Sequence, residues 1–188
     1  MKLILASKSP RRSELLTQAG ISFQVIPADV EEVTNPALSI KENIKALATL
    51  KAQWVANNHP DDYVLGADTV VISDDQIIGK PHDREDAQRI LTSLSGKAHQ
   101  VVTGFALITP ASEIFSDTVT SLVTFHSLTQ QVITDYIKTG EPMDKAGAYA
   151  IQGLGKKLVA GYEGSYTNIV GLPVEEVMRC LKSAGFTN

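Results

Sequence analysis

Six places in the chain carry residue types suited to binding or chemistry. Ser7-Lys8-Ser9-Pro10-Arg11-Arg12 follows a short apolar run and opens a helix, so free backbone N–H groups and the positive end of the helix dipole gather there. Three basic side chains at that end are unfavourable unless an anion sits among them. Phosphate would accept hydrogen bonds from hydroxyl, backbone and guanidinium together; without it the segment is a solvated basic turn. Lys51 falls on the apolar stripe marked by Ile40, Ile44, Leu47, Ala48, Trp54 and Val55, where a lysine must snorkel or meet an anion. Asp68, in Gly66-Ala67-Asp68-Thr69-Val70-Val71, stands in a strand-type run that disfavours aspartate. Its small N-terminal neighbours would let a ligand approach the backbone. The carboxylate would then bind a metal ion or act as general base toward a water; the alternative is a strand-end aspartate bonded to backbone N–H groups.

The remaining three are weaker one by one. Gly79-Lys80-Pro81 follows a hairpin strand that would bring Lys80 near Asp68, with the proline stiffening the exit; a plain turn lysine is the other reading. Glu31-Glu32 could supply a ligand to a hard cation or form a solvated loop. In Asp144-Lys145-Ala146-Gly147-Ala148-Tyr149-Ala150-Ile151-Gln152-Gly153, small residues surround Tyr149, and the Gln152 amide has both a donor and an acceptor with which to read a nucleobase edge. An ordinary surface glutamine beside a turn is the competing reading. Some patterns fail outright. Gly155-Lys156 lacks the first glycine and the Ser/Thr of a phosphate loop, because Ala150 and Lys157 stand there. His59, His82, His99 and His126 show no zinc-ligand spacing, and Cys180 reads as packing within a short helix.

These residues need elements to position them. Leu3–Ala6 reads as a buried strand, followed by a helix with Ser9 as N-cap, Pro10 at its first position and Gly20 as its stop. Phe23–Ile26 is the next strand. Ser39 and Glu42 form a capping-box pattern opening a helix through Val55. Tyr63–Ile72 is a long β-type run, turned at Asp74-Asp75 into Ile77-Ile78. Asp83 caps a helix ending at Gly96. Val101–Ile108 and Glu113–Phe125 pair across Pro110-Ala111-Ser112; a helix spans Val132–Lys138, and Gly147–Gly171 is irregular or strand. Pro173–Lys182 closes as a helix. This order predicts an α/β fold with a mixed sheet and two lobes about a cleft.

Composition sets the outer limits. The 188 residues are 43% hydrophobic and 20% charged, which suits one globular domain and excludes disorder or low complexity. Seventeen Lys+Arg against 21 Asp+Glu leave a net charge of −4, which argues against non-specific nucleic-acid binding but not against a local anion site. One cysteine allows no internal disulfide. The apolar start at Leu3–Ala6 is too short for a secretory signal and no stretch approaches a membrane span, so a cytoplasmic protein without membrane contact is expected.

Taken in order, the blocks Ser7-Lys8-Ser9-Pro10-Arg11-Arg12, Gly66-Ala67-Asp68-Thr69, Gly79-Lys80-Pro81, Leu94-Ser95-Gly96, Glu141-Pro142-Met143-Asp144-Lys145-Ala146-Gly147-Ala148-Tyr149 and Gly171-Leu172-Pro173 resemble the Maf family of nucleoside triphosphate pyrophosphatases. The resemblance runs almost end to end and implies a single ITPase-like α/β domain, an elongated mixed sheet flanked by helices, and commonly a homodimer. It implies Asp68 as the catalytic acid group and Ser7, Arg11, Arg12, Lys51 and Lys80 as holders of the triphosphate. Glu32, or its neighbour Glu31, would join Asp68 at a divalent metal (Mg²⁺ or Mn²⁺), while Arg11, Thr69 and Gln152 match positions associated with base selection. The Ile151-Gln152-Gly153 version resembles the branch acting on dTTP and UTP, and by extension modified pyrimidine nucleotides. Ala150 stands where glycine is frequent. Two alternatives stay open: a 7-methyl-GTP pyrophosphatase, or a nucleotide-sensing or nucleic-acid-binding regulator without turnover, since the family is also associated with cell-division arrest.

Overall fold

Leu3-Ile4-Leu5 is apolar on both sides of the pleat, the pattern of a strand covered on both faces. It forms β1 (Leu3–Leu5), wholly buried and parallel to both β2 (Phe23–Val25) and β3 (Tyr63–Ser73), with Leu3 opposite Phe23 and Tyr63. The computed structural model describes residues 1–188. The other strands are β4 (Gln76–Ile78), β5 (Ala98–Ile108), β6 (Ile114–Phe125) and β7 (Val159–Glu163). They complete one mixed sheet in the order β2-β1-β3-β5-β6-β7, with β4 antiparallel to β3. Six helices accompany it: α1 (Pro10–Gln18), α2 (Ile40–Ala56), α3 (Arg84–Leu94), α4 (Gln130–Lys138), α5 (Tyr166–Val170) and α6 (Val174–Ser183). No helix is long and apolar enough to cross a membrane.

The chain divides into two compact units that alternate along the sequence. Met1–Thr69, Thr103–Val119 and Gly171–Asn188 form the first; Val70–Val102 and Thr120–Val170 form the second. In the first, α2 begins with the full capping box, Ser39 Oγ accepting from the Glu42 amide and Glu42 accepting from the Ser39 amide. Its inner face meets Ile4, Val64, Ala106 and Ile108 through Ala48, Ala52 and Val55. Two strand glycines allow that approach. A Cβ at Gly66 would lie 2.3 Å from the Ala48 carbonyl oxygen, and one at Gly104 would lie 2.9 Å from the Ile44 carbonyl. The small residue at position 66 therefore admits a helix. Trp54, expected on the apolar stripe, is instead 39% exposed.

In the second unit, the hairpin between β3 and β4 turns on Asp74 and Asp75, both at positive φ, as a tight two-residue turn requires. Asp83 caps α3 through the Asp86 amide, and α3 buries Ala87, Ile90, Leu91 and Leu94. The Gly147–Gly171 stretch resolves into short 3₁₀ turns, the edge strand β7 and the unforeseen α5. Five residues give too short a window for helical periodicity to register. The Ser9 cap also differs: Ser9 has the extended backbone of an N-cap, yet its side chain makes no cap bond, and its own amide donates to Ser7 Oγ at 3.2 Å.

Candidate functional site

Three segments of the first unit converge on one polar cluster. Ser7 leaves the end of β1, Arg11 and Arg12 lie in the first turn of α1, and Asp68 and Thr69 occupy β3 where its burial gives way to partial exposure. Ser7 is buried, and its hydroxyl accepts from Arg12 Nη1 at 3.0 Å. Arg12 also donates from Nη1 to the Ala67 carbonyl at 2.8 Å, from Nε to the Gly171 carbonyl at 2.9 Å and from Nη2 to Thr69 Oγ1 at 3.1 Å. Thr69 Oγ1 lies 2.9 Å from Thr103 Oγ1 and 3.2 Å from the Gly171 oxygen. One guanidinium thus ties together the segment leaving β1, the middle of β3 and the turn before α6. Burial lowers the Arg12 pKa to about 10, aided by Arg11 and opposed by Asp68 and Glu32.

The second half of the cluster is an ion triad. Lys51 projects from α2, and its Nζ lies 2.7 Å from Asp68 Oδ1 and 2.8 Å from Glu32 Oε1. The Lys51 and Asp68 side chains are only 12% and 14% exposed, whereas Glu32, on the loop after β2, is 56% exposed. So the inward lysine of the sequence meets its anion in the protein itself. Two carboxylates facing one ammonium also form a donor set suited to a hard cation. No group of three or more His, Cys, Asp and Glu side chains is placed to hold a metal ion. Magnesium commonly uses one or two carboxylates and takes its other ligands from water and substrate phosphates, so Asp68 and Glu32 fit a divalent ion that arrives with a triphosphate.

Not every expected residue belongs to this cluster. Lys80 is exposed at the exit from β4, and Gln152 is exposed on a turn between 3₁₀ segments; both belong to the second unit. Glu31 is exposed and makes no ion pair, which leaves Glu32 as the acidic loop residue facing Lys51. Two participants were not singled out as site residues, although Gly171 stands in one of the motif blocks. Thr103 lies in a β-branched run where threonine is an unremarkable strand former, and the Gly171 contribution is a carbonyl, invisible in any side-chain pattern.

Comparison with known proteins places these observations in a family. A family profile described as Maf-like protein matches residues 2–184. The chain is 49% identical over 185 residues to the dTTP/UTP pyrophosphatase of Koribacter versatilis, covering 98% of this chain and 95% of that one. It is likewise 49% identical over 182 residues to the dTTP/UTP pyrophosphatase of Bacillus velezensis, covering 96% and 95%. Among solved structures, a HAM1 protein from Coxiella burnetii superposes with a TM-score of 0.58 at 15% identity, over 97% of this chain and 99% of that one. At that identity the likeness is one of fold, and it bears out the α/β, ITPase-like architecture expected from the sequence. With the match spanning all but the chain's ends, and the first, second and last of the motif blocks meeting at one arginine, the chain belongs to the Maf-like protein family.

Proposed function

We propose that this protein is a nucleoside triphosphate pyrophosphatase that hydrolyses dTTP and UTP, with related modified pyrimidine nucleotides, to the monophosphate and pyrophosphate. The observation that carries the reading is the Lys51–Asp68–Glu32 triad beside the Ser7–Arg12 corner. Acid and cations converge there in a chain half identical to dTTP/UTP pyrophosphatases. Asp68 orients a water toward the α-phosphorus and takes its proton as the bond to pyrophosphate breaks. Arg11, on the turn that opens α1, meets the phosphate chain together with the exposed helix-start amides. Arg12 is committed to four protein acceptors, so its part is to hold Ser7 and Thr69 in place and to set the local positive field. Lys51 exchanges its carboxylate partners for phosphate oxygens when substrate enters. Asp68 and Glu32 would hold a divalent ion, which would neutralise phosphate charge and make pyrophosphate a better leaving group.

The test is a substrate panel of dTTP, UTP, CTP, GTP and 7-methyl-GTP with Mg²⁺ or Mn²⁺, assayed for pyrophosphate. Release from dTTP and UTP well above the others is the expected outcome. A preference for 7-methyl-GTP would reassign the substrate, and tight nucleotide binding without turnover would replace the enzyme by a nucleotide sensor.

A further inference from the structure

Within the first unit, the carboxylates suited to a hard cation already hold one. Lys51 Nζ donates to Asp68 Oδ1 at 2.7 Å and lies 2.8 Å from Glu32 Oε1, so a cation drawn to both oxygens contends with an ammonium seated between them. The Lys51 and Asp68 side chains are largely shielded from water, where charge acts on charge with little screening. Glu32 is the more solvated partner and adds less. The surroundings lean the same way. Arg12 is coupled electrostatically to Arg11, Asp68 and Glu32, so Arg11, Arg12 and Lys51 share one field with Asp68 and Glu32. Three positive charges stand there against two negative, and a free divalent cation meets the excess as repulsion. A polyphosphate meets it as attraction, and its oxygens offer Lys51 an anion in exchange for the carboxylates. Arg12 cannot make that exchange, since Ser7, Ala67, Thr69 and Gly171 already take its donors. Once the ammonium turns to phosphate, Asp68 and Glu32 lose their counter-ion, and a divalent cation then relieves both.

We propose that Lys51 is a counter-ion gate on the Asp68–Glu32 pair: it keeps free divalent cations out and admits one only in company with a polyphosphate. This rests on the proposed nucleotide reading, in which those two carboxylates hold the ion, and adds to it the order of entry. The ligand of the site is then the cation–polyphosphate complex, and removing the ammonium converts a guarded pair of carboxylates into an open cation site.

The experiment titrates Mn²⁺ into the protein freed of metal, without nucleotide, and reads the unbound ion by electron paramagnetic resonance. It compares wild type, Lys51→Met, and Lys51→Met combined with Asp68→Asn. Lys51→Met should take up Mn²⁺ at least about ten-fold more tightly than wild type, and the second substitution should abolish the gain. A folded Lys51→Met that binds no more tightly than wild type overturns the proposal. So does a gain that survives Asp68→Asn, because the ion would then sit elsewhere. A measurement on wild type alone is independent of the variants' folding. Mn²⁺ retained with the protein on gel filtration should rise at least about ten-fold when inorganic tripolyphosphate is present, and equal retention with and without it overturns the gate. The two failures are distinguishable. A wild type that turns over dTTP with Mn²⁺, yet takes up the free ion as tightly as Lys51→Met, loses the gate alone. A wild type that retains no Mn²⁺ under either condition and releases no pyrophosphate from dTTP loses the nucleotide reading, and the gate with it.

Discussion

Lys51 is the residue on which the first unit's electrostatics turn. Its ammonium separates two carboxylates that would otherwise repel, and the low exposure of Lys51 and Asp68 makes either of them costly to leave unpaired, whereas Glu32 is largely solvated. Lys51→Met should raise the KM for dTTP by an order of magnitude or more, measured by steady-state pyrophosphate release, since both the phosphate contact and the alignment of Asp68 go with it. Asp68→Asn keeps the shape and a hydrogen-bond acceptor but removes the proton acceptor. Turnover should fall by at least about 100-fold with an unchanged circular-dichroism spectrum. Retained activity in that variant would remove Asp68 from the chemistry. The sequence revealed these two residues through conflict: a lysine on an apolar stripe and an aspartate in a strand. That the two conflicts resolve each other was not legible, because residues 51 and 68 meet only when α2 packs across β3.

At the scale of elements, the approach of α2 to the sheet sets the reach of Lys51. That approach depends on Gly66, where a Cβ would press on the Ala48 carbonyl and the Ala52 amide at 2.3 and 2.8 Å. Both are helix backbone and cannot retreat like a flexible side chain. Gly66→Ala should therefore destabilise the protein by about 3 kcal/mol, read from chemical denaturation, and should weaken dTTP turnover as α2 is pushed outward. An unchanged midpoint would show that the helix has room to shift. Most elements were readable in advance, because caps and periodicity are local: the Ser39–Glu42 box, the Asp83 cap and the Asp74-Asp75 turn all stand where the sequence predicts them. The segment after Gly147 was not, since its conformation is imposed from a distance. Glu141 binds amides 13 and 14 residues away, and Gly147 packs against Val71.

At the scale of the whole molecule, stability across pH reflects a polar group sealed in the second unit. His99 is 2% exposed, packs edge-on against Phe125 and Tyr149, and bonds the Tyr149 hydroxyl through Nε2 at 2.8 Å, while its Nδ1 is buried without a partner. Burial lowers its pKa to about 4, so it stays neutral in the folded state while the unfolded imidazole titrates near its ordinary 6.5. The unfolded state thus binds the extra proton between these values. The contribution is fully present above about pH 6.5 and is lost as the pH falls toward 4, amounting to up to about 3 kcal/mol. Denaturation of wild type and His99→Gln between pH 7 and 4.5 should show the steeper decline in wild type; parallel curves would contradict the assignment.

Sequence by itself determined most of the strands and helices, the Ser39 and Asp83 caps, the family motifs and the identity of the charged residues, because each depends on neighbours within a few positions or on residue type alone. Only the tertiary structure decided what those charges do to one another. It joined Lys51 to Asp68 and Glu32, committed Arg12 to Ser7, Ala67, Thr69 and Gly171, and set Glu141 beneath the Gln152 turn. Pairing across such separations follows from which faces pack, and a buried charge takes whichever partner the packing brings within reach, since leaving it bare costs more than any local preference can return.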